Sequence, residues 1–143
     1  MSQQVMILLV DDDRDDRAIL ADAFTDLGTP NSIHFEENGE KALAYVEKCF
    51  ESNSSLPCLV VLDLNMPRMN GTQTLRHLKN DERYKNIPVI IYSSSLNGIE
   101  KEECMKLGAY DYIIKPLTYT ECMNTASMLH EVCLKFSDTA SSS

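Results

Sequence analysis

Apolar runs bounded by charged or polar residues recur along the chain and predict the strands of a sheet. The runs at 5–10 (VMILLV), 58–62 (CLVVL) and 87–93 (IPVIIYS) are apolar almost throughout, which is typical of strands buried on both faces. The segment at 32–37 (SIHFEE) alternates between apolar and polar residues, which predicts a strand with one less buried face. The segment at 110–115 (YDYIIK) is the fifth predicted strand.

Between these runs, apolar residues recur every three or four positions, which predicts amphipathic helices. In the segment 14–27, the apolar residues at 20, 23, 24 and 27 follow the i, i+3, i+4, i+7 rule, and Gly28 is typical of a helix end. Thr118 and Glu121 have the spacing of a capping box. The five helices are predicted at 14–27, after Asn38, around Leu75 and Leu78, after Asn97 and after Thr118.

The alternation of strand and helix predicts a parallel sheet with helices on both faces. A chain of 143 residues suits one core, so we expect one domain over 1–136 and a disordered polar tail over 137–143. In such sheets, ligand sites lie outside the carboxyl ends of the strands. The residues that follow each predicted strand are therefore the candidates for a functional site.

Polar side chains stand at the carboxyl ends of four of the predicted strands. The acids 11–13 follow the first strand and Asp63 follows the third. The serines 93–95 end the fourth strand, and Lys115 ends the fifth. Because the carboxyl ends of parallel strands share one edge of the sheet, we expect these side chains to converge.

Asp11, Asp12 and Asp63 would place three negative charges in one pocket, and their repulsion would raise their pKa values unless a cation were present. A divalent ion together with Lys115 would balance this charge, and oxygen ligands favour Mg²⁺. A carboxylate can also act as a nucleophile and form an aspartyl phosphate. The sequence therefore predicts a phosphoryl-accepting site that uses Mg²⁺.

The composition narrows the classes of partner. Acidic residues outnumber basic ones by 22 to 13, and the net charge of −9 disfavours direct binding to nucleic acid or to an anionic membrane. The sequence shows neither a signal peptide nor an apolar run of the ~20 residues that span a bilayer. The five cysteines are odd in number and lack a C-x-x-C motif, which predicts reduced thiols and a cytoplasmic location.

Four motifs, LLVDDD, VVLDLNMPRMNG, PVIIYSS and YIIKP, occur in this order within residues 5–136. In these motifs the chain resembles the receiver domain of a bacterial two-component response regulator. The resemblance implies a flavodoxin-like α/β fold, with a doubly wound five-stranded parallel sheet in the order 2-1-3-4-5 and five helices. With the segment DLNMPRMNG and the connection NDERYKNIPV, the chain most resembles the receivers that partner bacterial phytochromes and related kinases.

The resemblance also implies a role for each polar residue at this edge. Asp63 would accept the phosphoryl group, and Lys115 would contact it. Asp11 and Asp12 would be the acidic pair at the metal, with Asp12 as the direct ligand. The backbone carbonyl of Asn65 would be a further metal ligand beside Asp63.

Two further residues have the places of the family's switch residues. Ser93 stands at the position of the switch hydroxyl, and Tyr112 at that of the switch aromatic. The resemblance also implies a cis peptide bond between Lys115 and Pro116.

Together these features predict a single-domain response regulator. It would accept a phosphoryl group from a sensor histidine kinase or a phosphotransfer protein and would signal through a phosphorylation-dependent protein interaction, with no attached output domain. It would not be an enzyme, beyond dephosphorylating itself. The downstream protein is not indicated, and the resemblance allows a homodimer.

Other interpretations stay open for some of these residues. An aspartyl-phosphate phosphatase has a second Asp two positions after its nucleophile, but Asn65 stands there. A phosphate-independent interaction module is the other alternative function. For single residues, Asp63 could merely cap a helix, and Asp13 is better interpreted as part of the first helical turn.

Overall fold

Five strands and five helices alternate along the chain. The computed structural model describes residues 6–29, 32–53, 55–64, 66 and 69–141, with 137–141 described by their backbone alone. The strands are β1 (Ile7–Val10), β2 (Ile33–Glu36), β3 (Leu59–Asp63), β4 (Val89–Ser93) and β5 (Asp111–Ile114). The helices are α1 (Arg14–Asp26), α2 (Gly39–Glu51), α3 (Gly71–Lys79), α4 (Gly98–Lys106) and α5 (Tyr119–Ser141).

The strands form one parallel sheet in the order β2-β1-β3-β4-β5, which confirms the predicted flavodoxin-like topology. In the register, Val10 pairs with Leu62, and Asp63 pairs with Tyr92 one step further along the sheet. Ser93 pairs with Ile114, the last residue of β5. The carboxyl ends of β1, β3, β4 and β5 therefore meet at one edge of the sheet, as the sequence predicted.

The alternation of side chains along each strand builds two cores, one on each face of the sheet. On one face, Leu8, Val60 and Ile91 pack with residues of α2, α3 and α4. On the other face, Leu9 and Ile90 pack with residues of α1 and α5. Both faces of the central strands are covered, which is why β1, β3 and β4 are apolar almost throughout.

Several helix boundaries follow the predicted capping residues. The side chain of Asn38 accepts a hydrogen bond from the N–H of Lys41 at the start of α2. Thr118 and Glu121 form the predicted capping box, since each side chain accepts a hydrogen bond from the backbone N–H of the other. Gly28 follows α1 with a φ of 84°, the left-handed conformation that glycine adopts at low cost.

None of the described helices is both long enough and apolar enough to cross a bilayer.

The prediction of a disordered tail over 137–143 is wrong for residues 137–141. Helix α5 continues to Ser141, five residues beyond Phe136. No glycine or proline interrupts this segment, and adding residues to an existing helix costs far less than starting one.

The predicted cis bond before Pro116 is also wrong, because the described peptide bonds include no cis bond. The trans form is the lower in free energy even before proline.

The prediction of reduced cysteines is correct for three residues and wrong for two. Cys49, Cys104 and Cys122 are free and buried. Cys58 and Cys133 form a disulfide, with Cα atoms 5.2 Å apart. Cys58 precedes β3 and Cys133 lies on α5, so packing of α5 on the sheet brings together two residues that are 75 positions apart in the chain.

Candidate functional site

Two carboxylates are buried at the carboxyl edge of the sheet. Asp11 directly follows β1 and is fully buried, and Asp63 ends β3 with 3% of its surface exposed. Oδ1 of Asp11 accepts a hydrogen bond of 2.9 Å from the backbone N–H of Asp13. Unpaired charges are costly in such surroundings, so the site must provide compensating positive charge.

Lys115 provides that charge from the end of β5. Its Nζ lies 3.0 Å from Oδ2 of Asp11, 3.1 Å from Oδ2 of Asp63 and 2.8 Å from Oδ2 of Asp16. Its backbone N–H donates a 2.7 Å hydrogen bond to the carbonyl oxygen of Ser93, and this bond fixes the backbone from which the side chain extends. The ammonium group also lies 5.5 Å from the centre of the Tyr92 ring, within the range of a cation–π contact. One lysine thus links the strand ends of β1, β3 and β4 with α1.

Burial and charge shift two pKa values at the site. Burial raises the pKa of Asp11 to about 6, although the N–H of Asp13 and the ammonium of Lys115 act in the opposite direction. The charge of Asp63 adds a smaller increase, so burial matters more here than the repulsion that the sequence suggested. Burial disfavours the ammonium of Lys115, but Asp16, Asp11 and Asp63 outweigh that effect and raise the pKa of Lys115.

The arrangement of acids fits a hard divalent cation. Asp11, Asp12 and Asp63 each offer a carboxylate oxygen, and these oxygens all lie within 4.8 Å of one another. Oδ2 of Asp11 is buried and, among the described residues, its contact is the ion pair with Lys115, without an aligned hydrogen bond. Carboxylate oxygens are the ligands that Mg²⁺ prefers, and the exposed side of Asp12 leaves room for metal-bound water.

One predicted site residue is not described, and one neighbouring acid has a structural role. Asn65, whose backbone carbonyl was predicted as a metal ligand, lies outside the described residues. Asp13 was interpreted as part of the first helical turn, and it is the N-cap of α1, where its side chain accepts hydrogen bonds from the N–H groups of Asp15 and Asp16.

The two predicted switch residues are joined through one carbonyl group. Ser93 is 2% exposed, and its Oγ donates a 2.9 Å hydrogen bond to the carbonyl oxygen of Ser95. The hydroxyl of Tyr112 donates a 3.0 Å hydrogen bond to the same oxygen. Tyr112 is buried on β5, beside the core that α4 covers. The structure therefore connects the end of β4 to Tyr112 through the backbone of the loop that leads to α4.

Helix α3 fixes the backbone behind Asp63. A Cβ atom added to Gly71 would lie 2.4 Å from the carbonyl oxygen of Asp63 and 2.8 Å from Cα of Leu64. The N–H of Gly71 donates a 3.2 Å hydrogen bond to the carbonyl oxygen of Leu64. Asn70 and Gln73 form a reciprocal capping box at the same helix start. The glycine in the NMPRMNG loop thus allows α3 to contact the strand end that bears Asp63.

The sequence did not indicate two contacts of this site. Asp16 was missed because acids are common in the first turn of a helix, where the dipole favours them. Arg17 was also missed, and its Nη1 donates a 2.7 Å hydrogen bond to the carbonyl oxygen of Asp11. Each contact joins α1 to a residue at the edge of the sheet, and only knowledge of how α1 lies against that edge could have revealed it.

The fold and the site define a class: a flavodoxin-like domain with a buried acidic pocket and a lysine at its switch-point edge. Residues 7–127 match the family model described as the response regulator receiver domain. The chain belongs to this family of signalling domains, as its resemblance to receivers predicted.

Two relatives are similar to the chain over most of its length. The chain is 30% identical over 129 residues to the probable methanogenesis regulatory protein FilR2 of Methanothrix harundinacea, covering 90% of this chain and 83% of that protein. It is 32% identical over 112 residues to the chemotaxis protein CheY1 of Helicobacter pylori, covering 78% and 86%.

The solved structures that resemble the chain include phytochrome response regulators. The phosphorylated cyanobacterial phytochrome response regulator RcpA superposes with a TM-score of 0.81 at 28% identity, covering 92% of this chain and 95% of RcpA. RPA3017, a response regulator in red light signalling of R. palustris, has a TM-score of 0.75 at 29% identity, covering 87% and 92%. The Mn²⁺-bound response regulator Rcp1 has a TM-score of 0.73 at 25% identity, covering 88% and 91%.

Proposed function

We propose that the chain accepts a phosphoryl group on Asp63 from the phosphohistidine of a sensor kinase or a phosphotransfer protein. One observation carries the proposal: the buried Asp63 carboxylate lies 3.1 Å from the Lys115 ammonium and belongs to an acidic group that suits a divalent cation. The phosphorylated state of RcpA, to which this chain is similar, supports it.

In the proposed reaction, a carboxylate oxygen of Asp63 attacks the phosphorus atom, and the bond between phosphorus and the donor nitrogen breaks. The carboxylate of Asp63 is held at the strand end by the contact between α3 and its backbone. The ammonium of Lys115 stands where it can shift from a carboxylate oxygen to an oxygen of the incoming group. Positioning and charge stabilisation are the main contributions that proteins make to phosphoryl transfer.

Asp11, Asp12 and Asp63 are the side chains that would hold Mg²⁺, with the backbone carbonyl of Asn65 as a further proposed ligand. When bound, the ion would supply positive charge that offsets the carboxylates and the phosphoryl oxygens. The Mn²⁺-bound form of Rcp1 supports a divalent ion in a similar receiver.

The signal would pass through the carbonyl group of Ser95. In the unphosphorylated chain, Ser93 and Tyr112 both donate hydrogen bonds to it. When the Oγ of Ser93 turns to a phosphoryl oxygen, the loop after β4 loses one of these two bonds. The equilibrium between loop conformations would then shift, and with it the surface formed by α4, β5 and α5.

That surface would contact the downstream protein. Several large apolar side chains are exposed on it: Ile99 is 81% exposed and Leu117 is 90% exposed. A homodimer through this surface is compatible with the proposal. The cytoplasmic location stays a prediction. It was based on reduced cysteines, and the disulfide between Cys58 and Cys133 weakens that basis, because disulfides are rare in the cytosol.

The test is labelling of the intact chain with acetyl phosphate in the presence of Mg²⁺, read by intact mass. We expect one added phosphoryl group on the wild type and none on Asp63→Asn. Asp22→Asn is the matched control, because it removes an exposed acid from α1 and should leave labelling unchanged. Equal labelling of Asp63→Asn and the wild type would refute the assignment.

A further inference from the structure

Asp16 forms the shortest of the three ion pairs of Lys115, at 2.8 Å, although it is outside the acidic group that suits a metal. We propose that Asp16 is a positioning residue for Lys115: it draws the ammonium towards α1 and shares its charge, and it thereby weakens the competition between the ammonium and a divalent cation for the oxygens of Asp11 and Asp63. This inference rests on the proposed function and concerns the same site.

The backbone of Asp16 is fixed before its side chain contacts the lysine. The N–H of Asp16 donates a 3.1 Å hydrogen bond to the side chain of Asp13, the N-cap of α1. The N–H of Asp13 in turn donates to Oδ1 of Asp11, and Arg17 binds the carbonyl oxygen of Asp11. The first turn of α1 is therefore tied to the strand end, and the carboxylate of Asp16 has a defined position.

The charges show why a third acceptor matters. The other two partners of Lys115, Asp11 and Asp63, are two of the three residues proposed to hold the ion. Without Asp16, the ammonium would pair with these two alone, and its positive charge would compete with a divalent cation for the same oxygens. Asp16 adds a negative charge beside the lysine at a side chain that is 34% exposed. An ion at the site would therefore meet an ammonium that is partly neutralised from the other side.

Asp15 gives a matched control on the neighbouring position. It carries the same charge, lies in the same first turn of α1 and is exposed, whereas the contact with Lys115 belongs to Asp16. Asp15→Asn and Asp16→Asn thus change the net charge and the helix end equally. They differ in the contact with Lys115.

The experiment is a Mg²⁺ titration of the full, unphosphorylated chain, followed by the amide NMR signals around the acidic group. We expect Asp16→Asn to raise the Kd for Mg²⁺ by about fivefold, which corresponds to ~1 kcal/mol for a unit charge at contact distance. We expect Asp15→Asn to raise it by less than about twofold, because an exposed charge is well screened. Equal effects of the two substitutions would overturn the proposal.

Two further variants separate positioning from a merely structural role. Asp16→Glu keeps the charge on a longer side chain and should hold the Kd within about twofold of the wild type. In a Lys115→Met background, the effect of Asp16→Asn should shrink to that of Asp15→Asn, because the double-mutant cycle removes the pair. An undiminished effect in that background would overturn the proposal, as would a Glu variant as weak as the Asn variant.

The wild-type chain distinguishes this failure from a failure of the proposed function. If the wild type neither binds Mg²⁺ nor accepts a label from acetyl phosphate, the proposed function fails. If it does both and Asp16→Asn matches Asp15→Asn, the role of Asp16 alone is wrong.

Discussion

The carboxyl edge of the sheet has two halves that differ in how firmly their helices are held. The acid half comprises Asp11, Asp63, Lys115 and helix α3, and the hydroxyl half comprises Ser93, Ser95, Tyr112 and helix α4. Both helices have nine residues and begin with a glycine after an asparagine cap. Helix α3 buries Gly71, Thr74, Leu75 and Leu78, whereas α4 buries Cys104 as its one fully buried residue.

This difference assigns different tasks to the two halves. A group that receives a phosphoryl must be held to a fraction of an ångström, and burial of α3 against β3 provides that constraint. A segment that reports the event must have an alternative conformation at small cost, and elements with few buried contacts are the ones that move most easily. The tightly packed half would therefore perform the chemistry, and the loosely packed half would signal it.

The glycines at the two helix starts give the largest test of this contrast. In Gly71→Ala, the added Cβ would meet backbone atoms of Asp63 and Leu64 at 2.4–3.0 Å, and we expect a loss of about 2–3 kcal/mol in the free energy of unfolding. In Gly98→Ala, the added Cβ would meet no atom of the described residues within 4 Å, and we expect a gain of about 0.5–1 kcal/mol. Urea unfolding of both variants gives the comparison, and opposite signs are required. Equal effects would mean that α3 can shift away from β3 as easily as α4 can move.

A substitution of Asp11 tests how its buried charge affects the stability of the acid half. Its raised pKa of about 6 lies above the ordinary value of 3.8, so Asp11 binds more protons in the folded chain than in the unfolded chain between these pH values. The contribution of Asp11 to the stability of the metal-free chain should therefore fall as the pH rises through this window. Asp11→Asn should remove this fall and stabilise the metal-free chain at pH 7 by about 2 kcal/mol.

The measurement is urea unfolding in EDTA from pH 4 to pH 7. Asp15→Asn is the control, since it removes the same charge from an exposed position in the first turn of α1. If the wild type and Asp11→Asn had the same pH dependence and the same stability at pH 7, the site would already compensate Asp11 without a metal.

Tyr112 tests the hydroxyl half. Tyr112→Phe removes one of the two hydrogen bonds to the carbonyl oxygen of Ser95, and Ser93 can keep the other. We expect a loss of about 1 kcal/mol in the free energy of unfolding. Amide exchange should quicken in the loop after β4 and in α4, while the amides of α3 stay as in the wild type.

Tyr110→Phe is the control for the loss of a hydroxyl group, because Tyr110 is 41% exposed and packs edge-on against Phe136. We expect a change within about 0.5 kcal/mol for it. If Tyr112→Phe quickened exchange equally in α3 and α4, the two halves would be one cooperative unit.

The contrast also shows how far the sequence could predict the molecule. The strands were predictable because residues buried on both faces form continuous apolar runs, and the topology then brought Asp11, Asp63 and Lys115 to one edge. Helix α4 was predictable from its cap at Asn97, which accepts hydrogen bonds from the N–H groups of Ile99 and Glu100. Its light packing was not predictable, because a cap reports where a helix begins and not what it packs against.

The contacts that the sequence missed depend on how distant elements dock. Asp16 meets Lys115 across 99 positions of the chain, and Cys58 meets Cys133 across 75. No pattern of side chains points to the carbonyl group of Ser95, although Ser93 and Tyr112 both donate hydrogen bonds to it. Local patterns predict elements and their ends, whereas these contacts follow from the packing of whole elements.

Ile99 gives the smallest expected effect. It is 81% exposed in the first turn of α4, so Ile99→Ala removes little buried surface, and we expect a change within about 0.5 kcal/mol in urea unfolding. Leu75→Ala is the comparison on α3, where a fully buried side chain leaves a cavity and the loss should be about 2–5 kcal/mol. A cost above about 1 kcal/mol for Ile99→Ala would show that α4 is held more firmly than its exposure indicates. The hydroxyl half would then lack the loose packing on which its proposed signalling role depends.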